Sequence, residues 1–197
     1  MQRLLRSPNE RVCDSLVNIK QLNKRAPFGY VVNYHMIRTD DMLNGDGLRV
    51  VLFLSGCNHQ CKGCHNPETW DTKSGQQLTV GEVNSIYREL KKDYISGITL
   101  SGGDPFHPIN RAFILYFLKD IRSKFSNKTI WVYTGYKYDT LIEDDFCSLI
   151  LCYVDVLVDG EFIEELAEVN YPWAGSTNQR VIDVKKSLLQ KTVILYN

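Results

Sequence analysis

Four short apolar runs stand out along the chain, and each of them ends at a turn that contains glycine. Their residues are apolar at successive positions, which predicts strands covered on both faces, as in a parallel sheet. The predicted strands are Arg49–Leu54, Ile98–Leu100, Ile130–Tyr133 and Val154–Val158.

Apolar residues recur at helical spacing between these runs. Thr79 and Glu82 have the spacing of a capping box at the start of a first helix. Pro108 can open a second helix that continues to Phe125, and a third is expected to begin near Asp139. The apolar positions are Val83, Ile86, Tyr87, Leu90 and Tyr94 in the first helix, Ile114, Phe117, Leu118 and Ile121 in the second, and Ile142, Phe146, Leu149 and Ile150 in the third. Strands that alternate with helices predict right-handed βαβ units and an α/β fold.

The length of the chain limits the size of this fold. With 197 residues, the chain can form one domain with a substantial core. A complete eight-stranded (β/α) barrel usually needs ~250 residues, so only part of such a barrel could form. A partial barrel and a short open sheet are both compatible with the pattern.

Composition and charge narrow the functional classes. Lys plus Arg and Asp plus Glu are equal at 23 each, so net charge does not predict direct binding of nucleic acid. No apolar run reaches the ~20 residues that a membrane-spanning helix needs. The first thirty residues are polar and lack the apolar region of a signal peptide, so we expect a cytoplasmic protein. In that reducing compartment the six cysteines are available as thiols for a metal.

Three of the cysteines, Cys57, Cys61 and Cys64, follow the first predicted strand within one tight loop. A [4Fe–4S] cube normally takes four cysteines, so a loop that supplies three would leave one iron free for a substrate or cofactor. A structural zinc site with His59 or His65 as fourth ligand is an alternative, although zinc loops usually bring two cysteine pairs from separate turns. A redox C-x-x-C pair is a second alternative, but it leaves Cys57 unexplained.

Turns that follow the other three strands carry further candidate residues. The second strand ends at Ser-Gly-Gly-Asp-Pro, the third at Thr-Gly-Tyr and the fourth at Asp-Gly-Glu-Phe. Because the carboxyl ends of parallel strands meet at one edge of a sheet, these turns are expected to lie beside the cysteine loop. The glycines Gly102 and Gly103 would let backbone approach a ligand, whereas the alternative is a plain turn with Asp104 as a helix cap. The residues expected around the same mouth are Trp131, Thr134, Gly135, Tyr136, Asp159 and Gly160.

Several motifs together resemble a known group of enzymes. The C-x3-C-x2-C loop resembles that of the radical S-adenosylmethionine superfamily, and the segment from Gly45 to Arg49 with Phe53 and Gly56 is similar to the signature of its glycyl-radical activating enzymes. The segments SGGDPFHP, WVYTGY, VLVDGEF and GSTNQR resemble, in that order, those of activating proteins of anaerobic ribonucleoside-triphosphate reductases. The resemblance extends from about residue 33 to about residue 182.

The resemblance implies a fold and a set of ligands. The fold would be a partial (β/α) radical-SAM-type barrel with mostly parallel strands, formed by an activase domain at 33–197 after an N-terminal extension, 1–32, without an assigned role. Three irons of a [4Fe–4S] cluster would be ligated by Cys57, Cys61 and Cys64, and S-adenosylmethionine would chelate the fourth. The residues implied to contact the cofactor are Gly63, Cys64, His65, Gly102, Gly103 and Asp104.

The same resemblance implies an activity. Reductive cleavage of S-adenosylmethionine would give a 5′-deoxyadenosyl radical that removes a hydrogen from a glycine of the reductase large subunit. A flavodoxin-type protein would supply the electron, and a homodimer is a possible assembly. Two other functions stay open at this point: activation of another glycyl-radical enzyme of the formate-lyase type, and a non-catalytic zinc-binding adaptor.

Overall fold

The computed structural model describes residues 29–197, which form one sheet with helices and connecting turns. We label the elements in chain order. They are β1 Asn33–Asp41, β2 Arg49–Leu54, β3 Gln76–Gln77, α1 Val80–Leu90, β4 Gly97–Gly102, α2 Pro108–Lys124, β5 Thr129–Tyr133, α3 Tyr138–Glu143, α4 Asp145–Leu151, β6 Val156–Asp159, β7 Arg180–Asp183 and α5 Val184–Gln190, with short 3-10 helices at Pro67–Thr69 and Glu164–Leu166.

The seven strands lie in the order β3-β1-β2-β4-β5-β6-β7. Strands β2, β4, β5 and β6 pair in parallel, whereas β1, β3 and β7 pair antiparallel at the two edges. The mixed α/β class and the mostly parallel centre are therefore confirmed. Over the described residues the sheet stays open between β3 and β7, so a barrel is not confirmed.

The four predicted strands are present with small changes at their ends. The second is longer than predicted, and the fourth begins at Val156 rather than Val154. The edge strands β1 and β7 escaped prediction because their residues are largely half-buried or exposed and do not form a continuous apolar run. Residues 1–28 of the predicted N-terminal extension, 1–32, lie outside the described residues. Within the remaining part, Val32 is buried in the core.

Side chains alternate between the two faces of the sheet. On β5, Ile130 and Val132 join the main core together with the helices, whereas Trp131 belongs to a smaller cluster on the opposite face with Val156 and Val158. Full burial of an aliphatic side chain contributes about 1.5–3 kcal/mol, so the helix-covered face holds most of the apolar stabilisation. Among the described residues no helix is both long and apolar enough to cross a membrane.

The helices follow the sequence signals at their amino ends. Helix α1 has the predicted capping box, in which Thr79 Oγ1 accepts the Gly81 N–H and Glu82 accepts the Thr79 N–H. Helix α2 begins at Pro108 as predicted. The prediction for Tyr94 was wrong, because this residue lies beyond the end of α1 and is 63% exposed.

The predicted third helix is in fact two helices, α3 and α4, that meet at Asp144. This residue has an extended ψ of 118°, and its carboxylate accepts the N–H groups of Phe146 and Cys147 at 2.9 and 2.8 Å. Aspartate competes for backbone donors in this way and favours a helix start over a helix interior. The apolar spacing continued through the break, which is why the pattern alone indicated one helix.

A buried arginine closes the amino end of the sheet on the face without helices. Arg49 is fully buried, its Cζ lies 5.4 Å from the centre of the Trp131 ring, and within residues 29–197 it donates hydrogen bonds only to neutral oxygens. Burial lowers the pKa of Arg49 to about 10. Its acceptors are Thr99 Oγ1, Thr129 Oγ1 and the carbonyls of Asp46, Ile98 and Thr129. The open space on this face therefore lies at the carboxyl ends of the strands.

Candidate metal centre

The turns after β2, β4, β5 and β6 surround one cavity of about 540 Å³. Its wall includes Cys57 from the first turn, Gly102 from the second, Thr134 from the third and Gly160 from the fourth. The predicted convergence of these turns at one edge of the sheet is confirmed. The parallel register, in which Leu54 pairs with Gly102, brings the ends of β2 and β4 to the same level.

All three thiols of the cysteine loop line this cavity and are partly buried. The loop starts from a fixed point, because Gly56 and Cys57 donate their N–H groups to the carbonyls of Thr69 and Trp70. At its end, the Cys64 N–H donates to the Cys61 carbonyl at 3.1 Å and closes a tight turn. The cysteine loop, residues 57–64, therefore presents its sulfur atoms to one space.

Burial is the main influence on the pKa of two of these thiols. It raises the pKa of Cys57, and it raises the pKa of Cys61 although the Phe162 backbone N–H donates to that sulfur. The protein surroundings alone thus favour the protonated thiols. A bound iron would reverse this preference, because coordination to a metal deprotonates a thiol.

His59 bridges two carboxylates above the loop. Its Nε2 lies 3.0 Å from Asp104 Oδ2 and its Nδ1 lies 2.9 Å from Glu161 Oε1. The hydrogen bond to Asp104 is the largest cause of the raised pKa of His59. Because both ring nitrogens are engaged, neither is free to ligate a metal in this arrangement.

The geometry gives no support to the zinc alternative. Within residues 29–197, no three His, Cys, Asp or Glu side chains converge closely enough to hold a single ion. His65, the other imidazole considered as a zinc ligand, is exposed and has its ring centre 5.4 Å from that of Phe162.

Asp104 connects the turn after β4 to the turn after β5. Its carboxylate is almost fully buried and accepts hydrogen bonds from Thr134 Oγ1 at 2.9 Å, from the Gly135 N–H at 3.1 Å and from the Phe106 N–H at 2.8 Å. The last bond has the form expected of an aspartate turn. This side chain therefore organises the wall of the cavity, and His59 adds a further hydrogen bond to it.

A family model described as a 4Fe-4S single cluster domain matches residues 43–182 of the chain. Similar proteins named anaerobic ribonucleoside-triphosphate reductase-activating protein occur in Vibrio cholerae (45% identity over 151 residues, 75% of this chain and 96% of the relative), Enterobacteria phage T4 (41% over 150, 76% and 93%) and Escherichia coli K12 (43% over 152, 76% and 97%). The chain belongs to the family of anaerobic ribonucleoside-triphosphate reductase-activating proteins. The family predicted from the motifs is confirmed, and the matched domain supports an iron–sulfur cluster in this chain.

The structure brings together all but one of the residues that the family resemblance implied for the cluster and the cofactor. The residues that line the cavity are Cys57, Cys61, Cys64, His65, Gly102, Gly103 and Asp104. Gly63 instead lies on the outer side of the cysteine loop, where a Cβ would be 2.9 Å from Glu164 Oε1. What each of these residues binds stays a prediction.

Residues expected around the mouth divide into two groups. Thr134, Gly135 and Gly160 line the cavity, and Tyr136 and Asp159 line a neighbouring pocket. The expectation for Trp131 was wrong, because it is buried in the smaller core cluster and contacts Trp173 and Tyr196 edge to face.

Beyond the predicted turn at Gly160, residues from Phe162 to Gln179 also form one side of the cavity, which the sequence did not predict. Gln179 accepts the Gly175 and Ser176 N–H groups and donates to the Gly160 carbonyl, and Asn178 donates to the Glu161 carbonyl. These bonds hold the turn after β6 to the segment 175–179. A Gly-Ser-Thr-Asn-Gln-Arg motif rich in amide side chains was the sequence signal for this role.

Proposed function

We propose that this chain is a radical S-adenosylmethionine enzyme that generates a glycyl radical on an anaerobic ribonucleoside-triphosphate reductase. The observation that carries the proposal is the cavity at the strand ends, in which three thiols from one loop face a turn with two consecutive glycines. The relatives named above are activating proteins of such reductases, and they are matched over nearly their whole length.

The residues present fit a [4Fe–4S] cluster with one open iron. Cys57, Cys61 and Cys64 are the only cysteines among the described residues that line the cavity. A cube that usually takes four cysteines would therefore keep one iron without a protein thiolate. Thiolates on three different irons need not converge on one point, so the lack of a single-ion site among the described residues is compatible with a cluster.

The turn after β4 fits the role of a cofactor cradle. Gly102 has a φ of +91°, and a Cβ there would lie 2.8 Å from the Phe53 Cα. A Cβ on Gly103 would lie 2.7 Å from the Gly56 carbonyl oxygen. Only glycine lets the turn approach the start of the cysteine loop this closely, and bare backbone is left for the methionyl group of S-adenosylmethionine.

When bound and reduced, the cluster would supply the electron for cleavage of S-adenosylmethionine to a 5′-deoxyadenosyl radical. That radical would remove a hydrogen from the glycine of the reductase. Cys57, Cys61 and Cys64 would hold the cluster, and Asp104 would keep the turns after β4 and β5 in place. By resemblance, a flavodoxin-type protein delivers the electron.

The mouth of the cavity suits a protein substrate. Met42, Leu43 and Val169 belong to its lining and are 72%, 78% and 100% exposed. Exposed apolar side chains beside a functional cavity are typical of a surface that another protein covers. A reductase segment that carries the glycine would meet these side chains as it enters.

Replacement of one ligand tests the proposal. Cys61→Ala is expected to abolish release of 5′-deoxyadenosine, because the cluster loses one of its three protein ligands, while far-UV circular dichroism stays close to wild type. The measurement is anaerobic reconstitution with iron and sulfide, followed by iron analysis and product detection in the presence of the reductase. Wild type should hold about four irons, the content of the cube.

Cys147→Ala provides the matched control. Cys147 is fully buried in the main core and is not among the residues that line the cavity. This variant should keep the iron content and the product of wild type. Release of 5′-deoxyadenosine by Cys61→Ala, or a colourless wild type that holds one zinc, would contradict the proposal.

A further inference from the structure

His59 occupies a constrained position in the middle of the cysteine loop. It lies two residues after Cys57 and two before Cys61, and its side chain is only 10% exposed. The next residue, Gln60, has a φ of +50°, a left-handed conformation that is unfavourable for a residue with a side chain. Such a conformation persists only where surrounding contacts hold it in place.

The two partners of His59 come from distant parts of the chain. Asp104 follows β4 and Glu161 follows β6, so the imidazole joins the turns after three different strands. Asp104 is a fixed anchor, because Thr134, Gly135 and Phe106 also donate to its carboxylate. Glu161 belongs to the turn that Asn178 holds through a hydrogen bond to the Glu161 carbonyl.

The fold also leaves space for the imidazole ring. A Cβ on Gly135 would overlap the ring of His59, so this position has to be glycine. On another side the Tyr136 ring meets the imidazole edge to face, with 4.6 Å between the ring centres. The ring therefore has a built site with two polar partners and apolar packing.

We propose that His59 is a positioning residue that fixes the cysteine loop for cluster binding by bridging Asp104 and Glu161. This inference rests on the proposed function, since it concerns how the loop keeps its cluster. The bridge holds the middle of the loop at two points, and the sulfur atoms of Cys57 and Cys61 on either side keep their spacing. Removal of a group that orients metal ligands without binding the metal typically lowers metal affinity by about 10–100-fold.

The bridge has two ends that can be removed separately. Glu161 is 58% exposed at its side chain, so Glu161→Ala should leave folding intact even if His59→Ala does not. Glu161→Gln keeps an oxygen that can accept the imidazole N–H and should restore most of the wild-type behaviour. Glu165→Ala is the matched control, because Glu165 is on the same segment and, among residues 29–197, its only ion pair is with the exposed Lys62.

The experiment measures iron loss from the reconstituted protein to an Fe(II) chelator, together with the electron spin resonance spectrum of the reduced cluster. We expect His59→Ala and Glu161→Ala to lose iron about tenfold faster than wild type and to shift the spectrum, with an unchanged melting temperature. The double variant should lose iron no faster than His59→Ala, because Glu161 acts through the imidazole. Glu161→Gln keeps an acceptor for the imidazole and Glu165 is not part of the bridge, so both variants should stay within about twofold of wild type.

Two results would overturn the inference. Iron loss at the wild-type rate in both alanine variants would show that the bridge does not hold the loop. Faster iron loss in His59→Ala, together with the wild-type rate in Glu161→Ala, would indicate that His59 acts without its bridge, for example as a ligand. A wild-type protein that never assembles a cluster would instead refute the proposed function, so the two failures are distinguishable.

Discussion

Glycine determines how closely the turns around the cavity approach one another. The pair Gly102 and Gly103 could be identified from the sequence, because two glycines after a strand indicate close backbone approach. The need for Gly135 could not be predicted, since it depends on the ring of His59, a residue far away in the sequence. A local pattern predicts the turn, and only the three-dimensional structure shows what the turn contacts.

Gly103→Ala tests this close approach. The added Cβ would meet the Gly56 carbonyl oxygen, a backbone atom that cannot turn away, and would push the cysteine loop from the turn after β4. We expect a loss of about 1–3 kcal/mol in the free energy of unfolding, typical of overpacking, and a higher KM for S-adenosylmethionine. Urea unfolding and steady-state kinetics measure the two effects.

Gly29→Ala is the control for that substitution. A Cβ on Gly29 would have no atom of residues 29–197 within 4 Å, so stability and KM should match wild type. If Gly103→Ala behaved in the same way, the turn would not be as tightly packed against Gly56 as the structure shows.

At the level of secondary-structure elements, Arg180 has a structural role that its Gly-Ser-Thr-Asn-Gln-Arg motif did not reveal. Arg180 on β7 donates to the buried carboxylate of Asp159 at the end of β6, with Nε at 3.0 Å from Oδ1, and it also pairs with Asp139 on α3. The Tyr138 N–H donates to the same buried carboxylate at 2.7 Å. This arginine therefore connects the last parallel strand β6, its antiparallel neighbour β7 and helix α3.

Arg180→Met should destabilise the protein on the order of 3 kcal/mol, because removal of one partner leaves a buried carboxylate without its counter-charge. Denaturant unfolding measures the change. The double variant with Asp159→Asn should recover part of the loss, since the uncompensated charge is then gone.

Lys186→Met serves as the comparison at the other end of β7. Lys186 pairs with Asp183 at the surface with 63% of its side chain exposed, and such pairs contribute only about 0–1 kcal/mol. Equal losses in the lysine and arginine variants would contradict the role assigned to the buried pair.

At the scale of the whole molecule, the helices stabilise one face of the sheet, while the cavity lies at the strand ends. The α/β class and the meeting of four turns followed from the sequence, because apolar runs and turn residues are local signals. The open edges of the sheet and the bridge of His59 to residues 45 and 102 positions away did not follow, since they depend on long-range pairing. Asp144 shows the opposite case, in which a local cap divided a helix that the apolar spacing had joined.

This separation predicts that a change in the helix layer alters stability without altering the site. Thr79→Ala removes the cap of α1 and should cost about 0.5–2 kcal/mol, with iron content unchanged. Thermal unfolding of the reconstituted protein and iron analysis measure both quantities. Asn84→Ala, at an exposed position within α1, should not destabilise, because alanine is the stronger helix former.

A loss of iron in Thr79→Ala in proportion to its loss of stability would contradict the separation, since it would show that the helix layer and the cysteine loop unfold as a single unit.

Electron spin resonance of the reconstituted protein mixed with an anaerobic ribonucleoside-triphosphate reductase, a reductant and S-adenosylmethionine tests the central claim most directly. The account predicts a glycyl radical on the reductase that requires S-adenosylmethionine and is absent with Cys61→Ala. An iron-loaded, reduced wild type that forms no such radical, or a radical that appears only on a formate-lyase-type partner, would contradict it.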